Sequence, residues 1–183
     1  MSSYKMKIAG LDRELKMFAV NDKLDIAAFI LFGDVEVTVA SATELLKKAP
    51  EFDVILTPEA KSIPLAYEMS RQSGKKYFIC RKGAKLYMKE PVSVNVRSIT
   101  TDKVQTLYLD AADAELMRGR RVVIVDDVIS TGQSLHALEE LVKMAGGNIV
   151  GRVAVLAEGS AIARDDIRYL APLPLFDNTG KPI

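Results

Sequence analysis

Residues 122–134 read Val-Val-Ile-Val-Asp-Asp-Val-Ile-Ser-Thr-Gly-Gln-Ser. Four β-branched aliphatics in a row predict a strand buried on both faces, the habit of parallel sheets covered by helices. Asp126 and Asp127 follow where such a strand would surface. A turn of small residues, Ser130, Thr131 and Gly132, then runs through Gln133 and Ser134 into a helix. In open parallel sheets ligands bind outside the carboxyl ends of the strands, so these polar groups stand where chemistry is expected. The turn offers backbone N–H groups at a helix N-terminus together with the hydroxyls of Ser130, Thr131 and Ser134. That is an anion cradle suited to a phosphate monoester. The two acids beside it are placed to accept hydrogen bonds from sugar hydroxyls or to hold a hydrated divalent cation. A phosphate cradle next to paired acids points to a ribose 5-phosphate in preference to a nucleoside triphosphate.

Each piece has a plainer reading. Adjacent acids after a buried strand are often solvated loop residues, and they also form the magnesium-binding pockets of receiver-type domains. A Ser-Thr-Gly turn is often only a helix cap, with Ser130 or Thr131 bonding an orphan N–H. Strand, acid pair and hydroxyl-glycine turn in this order and register are far less easily accidental.

Outward from the motif, residues 53–57 form a short aliphatic strand that ends in a Thr-Pro-Glu-Ala-Lys-Ser turn. Residues 62–73 read as a helix with Ile63, Ala66 and Met69 on one face and Gly74 as its stop. Residues 77–80 are the next strand. In the helix predicted over 134–145, Leu135, Leu138, Leu141, Val142 and Ala145 make the apolar stripe, and Gly146 and Gly147 end it. A further strand spans 149–156. Strands alternating with helices predict an α/β fold, a parallel sheet flanked by helices. One region departs from that rhythm. Residues 92–99 alternate apolar and polar, Thr101 and Asp102 make a turn, and residues 104–109 return, which predicts an inserted β-hairpin. The Arg-Lys-Gly-Ala-Lys stretch before it (81–85) suggests a flap over an anion. The tail 171–176, Ala-Pro-Leu-Pro-Leu-Phe, is expected to pack down as extended chain, and residues 1–50 carry the least local signal.

At 183 residues and 49% hydrophobic, the chain is the size of one well-cored domain. Lys plus Arg is 25 against 24 Asp plus Glu, a formal net charge of +1 without the basic excess of a nucleic-acid binder. One cysteine, Cys80, offers neither a disulfide framework nor a zinc site. The single histidine, His136, lies just past the cradle and reads as a solvated helix residue more readily than as a catalytic one. The N-terminus opens no apolar leader and no stretch is long enough to span a bilayer, so neither membrane nor nucleic acid is an expected partner and the cytoplasm is the expected compartment.

The 122–134 segment closely resembles the 5-phosphoribosyl 1-pyrophosphate (PRPP) motif of the type I phosphoribosyltransferases, and the likeness to their purine branch runs over residues 52–176. Thr57-Pro58-Glu59-Ala60-Lys61-Ser62 is similar to that family's pyrophosphate loop, which implies pyrophosphate binding by Glu59, Ala60 and Lys61 and a cis peptide at Glu59–Ala60. Arg81 and Lys82 resemble the basic pair that reaches the pyrophosphate of the neighbouring subunit. They lack an obvious partner in their own segment, and the resemblance implies a homodimer. Lys85 joins the pyrophosphate set, and residues 85–109, within the loop and hairpin region 81–109, correspond to the family's flexible catalytic loop. The whole of 1–183 is then one domain, with residues 1–50 and part of the tail as a small hood. The implied reaction transfers the phosphoribosyl group from PRPP to a purine, with Asp126 and Asp127 catalytic. Mg2+ is the implied cofactor, met by the same two acids through water.

Two departures from the family pattern bear on the base. The flexible-loop glutamate of adenine enzymes is missing. The matching stretch is Arg-Ser-Ile-Thr-Thr-Asp (97–102), so the ring-proton role is unassigned and Asp102 is its nearest acid. Lys61 and Ser62 stand where adenine enzymes show Arg-Gly and xanthine enzymes Ser-Gly. Asn21 resembles an asparagine that xanthine enzymes place over the base. Against xanthine, the strand end at Glu158 and Gly159 lacks the lysine donor that 6-oxopurine enzymes tend to carry there, and an ionised Glu158 cannot donate. Adenine therefore ranks first and xanthine second. A non-catalytic PRPP-sensing regulator is the alternative of another class. It needs a DNA-binding module, for which the residues before Phe52 are not expected to have spare length. A dinucleotide-binding enzyme is weaker still, since no Gly-x-Gly-x-x-Gly follows a strand.

Overall fold

The computed structural model of the chain describes residues 2–97 and 104–183. Elements in chain order are β1 (Ser3–Ile8), β2 (Leu11–Asn21), β3 (Leu24–Ala28), α1 (Val35–Lys48), β4 (Val54–Pro58), α2 (Ile63–Ser73), β5 (Lys76–Cys80), β6 (Val92–Arg97), β7 (Val104–Leu109), α3 (Ala111–Met117), β8 (Arg121–Ile129), α4 (Gln133–Met144), β9 (Asn148–Glu158) and β10 (Arg168–Leu173), with a 3-10 turn at Gly159–Ala163. The main sheet has five strands in the order β10-β9-β8-β4-β5, all parallel. β8 is its middle strand, and its aliphatics serve two cores. Because side chains alternate across a strand, Val123 and Val125 face a cluster that includes Leu45 of α1 with Leu65, Ala66 and Met69 of α2. Val122 and Ile124 face a second cluster that includes Met117 of α3 with Leu135, Leu138, Leu141 and Val142 of α4. Burial on both faces is why this strand reads as an unbroken aliphatic run.

The acids lie inside β8 rather than beyond its end. The strand continues to Ile129 because β9 stays alongside it, with Asp126 paired to Ala154 and Ile129 to Ala157. The buried stripe of α2 is Leu65, Ala66 and Met69, while Ile63 is half-buried at the helix start. Gly74 ends that helix in the left-handed region, φ 69, and its N–H returns to the Ser70 carbonyl.

Residues of weak local signal form a separate antiparallel sheet, β1-β2-β3, turned at Ala9 and Gly10, both at positive φ. Its inward residues, among them Ile8, Leu15, Met17 and Ala27, join the α1/α2-side core, whereas α1 itself flanks the main sheet. The tail crosses back to this small sheet: Asp25 and Phe176 exchange backbone hydrogen bonds of 2.8 and 3.1 Å, and Phe176 is fully buried against Tyr4. Part of the tail is a true strand, β10. Pro172 fits there because β10 is an edge and the missing N–H costs no ladder bond.

The inserted hairpin is present as β6 and β7. Its base is tied to the sheet by a reciprocal Arg81–Tyr108 backbone pair, 2.8 Å each way, and by Leu107 and Leu109 in the α4-side core. Its predicted tip, residues 98–103 with Asp102, lies outside the described residues.

Candidate active site

The parallel sheet delivers the ends of four strands to one edge. β4 leads into Glu59-Ala60-Lys61, β5 into Arg81 and Lys82, β8 through its acids into the 130–132 turn, and β9 ends at Glu158. Val54–Leu56 pair with Val122–Ile124, and continuing that register brings the turn after Pro58 level with the acids. The turn is fastened from below. The Thr57 hydroxyl donates to the Val125 carbonyl at 2.9 Å and the Ser62 hydroxyl to the Pro58 carbonyl at 3.0 Å. The Glu59–Ala60 peptide is cis, as the resemblance implied.

Asp126 and Asp127 are 8% and 5% exposed. Asp126 accepts the Asp127 N–H at 2.8 Å. The Asp127 Oδ2 atom is buried, takes no hydrogen bond among the described residues, and lies 3.2 Å from Lys61 Nζ. Burial first, and the neighbouring Asp127 carboxylate second, push the Asp126 pKa well above the usual carboxylate range, with Lys61 pulling weakly the other way. Such a pair gains most when positive charge appears beside it.

Next to the acids, Asp126 and residues of the 128–135 stretch line a cavity of about 100 Å³. Gly132, at φ 80, is the N-cap of α4, and no side-chain cap bond forms there among the described residues. The helix-cap reading of Ser130 and Thr131 is thereby set aside, and the turn keeps the form of an anion cradle. Thr131, Gly132, Gln133 and Ser134 all line it. Ser130 lines it too and stands near Glu158, whose pKa is raised by burial and held back by Ser130 and Lys61. Glu158 entered the sequence reading only as a strand end lacking a donor. Its position at the end of the strand adjoining the acid pair was the signal that it belongs to the same edge.

On the other side of the β4 turn, Glu59 accepts from the Arg81 guanidinium and from the Lys82 N–H, both at 3.1 Å. The Lys82 amide is the first cause of the lowered Glu59 pKa, followed by the opposing cost of burial and then by Arg81 and Lys85. Arg81 therefore has a partner within its own chain, which its flanking sequence did not reveal because Glu59 is remote in sequence. Two residues fall outside this cluster's bonding. Asn21 is exposed at the β2–β3 turn, where its side-chain oxygen accepts the Lys23 N–H at 2.9 Å. His136 is exposed on α4, 3.7 Å from Glu139.

A parallel α/β sheet with a phosphate-sized cradle, a buried acid pair and a basic loop at one edge defines a sugar-phosphate-binding domain of the phosphoribosyl-transfer type. The chain belongs to the phosphoribosyl transferase domain family, whose description matches residues 37–172. It is 35% identical over 124 residues to an adenine phosphoribosyltransferase of Petrotoga mobilis, covering 66% of each chain. The crystal structure of adenine phosphoribosyltransferase from Thermoanaerobacter pseudethanolicus superposes with a TM-score of 0.66 at 25% identity, over 78% of this chain and 84% of that one. The purine biosynthesis transcriptional repressor PurR of Bacillus subtilis is 30% identical over 112 residues, 61% of this chain but 38% of the repressor. The first three curated relatives are matched over 60% to 69% of their own lengths.

Proposed function

We propose that the protein is a purine phosphoribosyltransferase that joins adenine to PRPP, giving AMP and pyrophosphate in purine salvage. The observation that carries this is the buried Asp126–Asp127 pair, at the lip of the cradle, with Lys61 3.2 Å from Asp127. The bond from C1 of the ribose to pyrophosphate breaks, a purine ring nitrogen takes its place, and the ring proton is lost to solvent or to a base. Positive charge grows on the ribose as the leaving group departs. Asp126 and Asp127 stabilise that charge more than they stabilise the neutral sugar, which is catalysis by differential binding. Ser130, Thr131, Gly132, Gln133 and Ser134 hold the 5-phosphate. Glu59, Ala60, Lys61, Arg81, Lys82 and Lys85 make up the pyrophosphate side, where Glu59 orients Arg81 and the Lys82 amide. Closure of the β6–β7 hairpin would exclude water, the competing acceptor.

Mg2+ fits this donor set. Among the described residues no three His, Cys, Asp or Glu side chains gather as a protein cage. Two acids, one with a buried oxygen lacking a hydrogen bond, suit a cation held largely by water and by PRPP itself. Bound there, it would help neutralise the departing pyrophosphate.

Adenine is preferred because the β9 end offers an acceptor, Glu158, where a 6-oxopurine needs a donor. Xanthine is the second choice, with Asn21 as the residue that would favour it. We place the enzyme in the cytoplasm as a homodimer. No helix among the described residues is long and apolar enough to cross a membrane. The adjoining Ile30, Phe32, Val35 and Val39 leave apolar surface exposed, as an interface would. Steady-state kcat/KM for adenine, xanthine, guanine and hypoxanthine at saturating PRPP tests the base, with adenine expected to lead. Xanthine in first place would overturn the base while leaving the class. The similarity to a purine repressor supports a second reading, a PRPP sensor without turnover.

A further inference from the structure

The residues lining the cradle cavity are Asp126, Val128, Ile129, Leu135 and the 130–134 turn, with no lysine or arginine among them. A dianionic 5-phosphate there would sit beside an acid pair with only hydroxyls and amides to meet it. A cation stands just outside. A Cβ added at Gly132 would lie 2.5 Å from Arg164 Nη1, so the guanidinium rests against the bare backbone of the cradle. Arg164 follows the Gly159–Ala163 turn, and its orientation is fixed by a two-pronged bond to Asp166: Nε to Oδ1 at 2.8 Å and Nη2 to Oδ2 at 2.6 Å. With that edge of the planar fork occupied, Nη1 is the nitrogen left towards Gly132. Asp166 is itself 3.8 Å from Arg152 Nε of β9, which is hydrogen-bonded to Glu139 of α4. The arginine is thus braced through Asp166 towards Arg152 of β9 and Glu139 of α4, while its side chain stays 33% exposed and within reach of an incoming anion.

We propose that Arg164 is a further ligand of the 5-phosphate, closing the cradle with a charge-assisted hydrogen bond from Nη1, and that Asp166 is its positioning residue. The inference rests on the assignment of the 130–134 turn as the phosphate site. It also gives position 132 a second reason to be glycine, since any side chain there would push the guanidinium away.

The test is calorimetric titration of the full chain with ribose 5-phosphate and, separately, with unphosphorylated ribose. Arg164→Ala should weaken ribose 5-phosphate about tenfold or more, with KM for PRPP rising in step, as expected for one charge-assisted contact to an anion. Arg164→Lys should recover part of the loss, and Asp166→Asn should show a smaller one. Arg164→Gln, which keeps the volume, gives the same reading should the alanine variant fold poorly. Unchanged ribose 5-phosphate affinity in the Arg164 variants, with Thr131→Ala weakened, overturns the role of Arg164 and leaves the cradle standing. Unchanged affinity in the Arg164 variants and in Thr131→Ala removes both. Equal loss of ribose and ribose 5-phosphate also overturns the proposal, because it marks a merely structural effect.

Discussion

At the scale of single residues the account turns on two adjacent carboxyl groups with different surroundings. The buried Oδ2 of Asp127 meets the Lys61 ammonium at 3.2 Å and takes no hydrogen bond among the described residues, and in the proposed function this is the acid that faces the cationic sugar. Asp127→Asn should lower kcat by ~10²-fold or more while the protein stays folded, as expected when a charge acting only in the transition state is removed. A near-native kcat in both single Asn variants would end the proposed role. Asp126 carries the raised pKa. The folded protein holds that proton more tightly than the unfolded chain does. The associated stability is therefore full below the ordinary aspartate value and is lost as pH rises through the raised folded value. Asp126→Asn, whose side-chain oxygen can still accept the Asp127 N–H, should remove that loss. Its melting temperature without ligand at neutral pH should exceed the wild type's, by roughly 2–4 °C for each kcal/mol regained, while kcat falls. An unchanged or lower melting temperature would show that Asp126 is ionised without cost. The acid pair was legible from its place after an aliphatic run. Its environment was not, because the burial comes from β4 and β9 and the neighbouring charge from Lys61, all distant along the chain.

The element that matters most is the turn from β8 into α4. Its chemistry was legible because the hydroxyl-glycine turn follows the acid pair directly and runs into a helix, an order and register far less easily accidental than any one piece. Its detail was not: Ser130 stands near Glu158 at the end of β9, and an arginine from beyond β9 leans on Gly132. Thr131→Ala and Ser134→Ala should each raise KM for PRPP by about ten- to a hundredfold, the worth of a neutral-to-anion hydrogen bond of ~1.5–3 kcal/mol. If both leave PRPP affinity as it was, the 5-phosphate sits elsewhere. The strands with regular inward stripes, and α2 and α4, were readable to within a residue or two. The β1–β3 sheet was missed although Tyr4-Lys5-Met6-Lys7-Ile8 alternates as a half-buried strand should and Ala9-Gly10 can supply the positive φ angles of a tight hairpin. β10 was read only as extended chain because its prolines argue against a strand, and only an edge position admits one.

At the scale of the whole molecule, the order β10-β9-β8-β4-β5 gathers residues from four separate stretches of sequence at one sheet edge, and no local pattern encodes that order. What was legible of the site is what lies within one loop, and what was not is the pairing between loops, such as Glu59 with Arg81. Assembly belongs to this scale. Light scattering at micromolar concentration should give twice the mass of one chain, and Arg81→Ala should impair turnover of PRPP. A fully active monomer would rule out any arrangement in which the basic pair serves a neighbour's site. The most direct test of the central claim is product analysis after incubating the protein with PRPP, adenine and Mg2+. The account predicts AMP and pyrophosphate in equal amounts, formed over many turnovers and slowed ~10²-fold or more by Asp127→Asn. Tight binding of PRPP with no AMP and no pyrophosphate, from adenine or any other purine, would contradict it and make the chain a sensor.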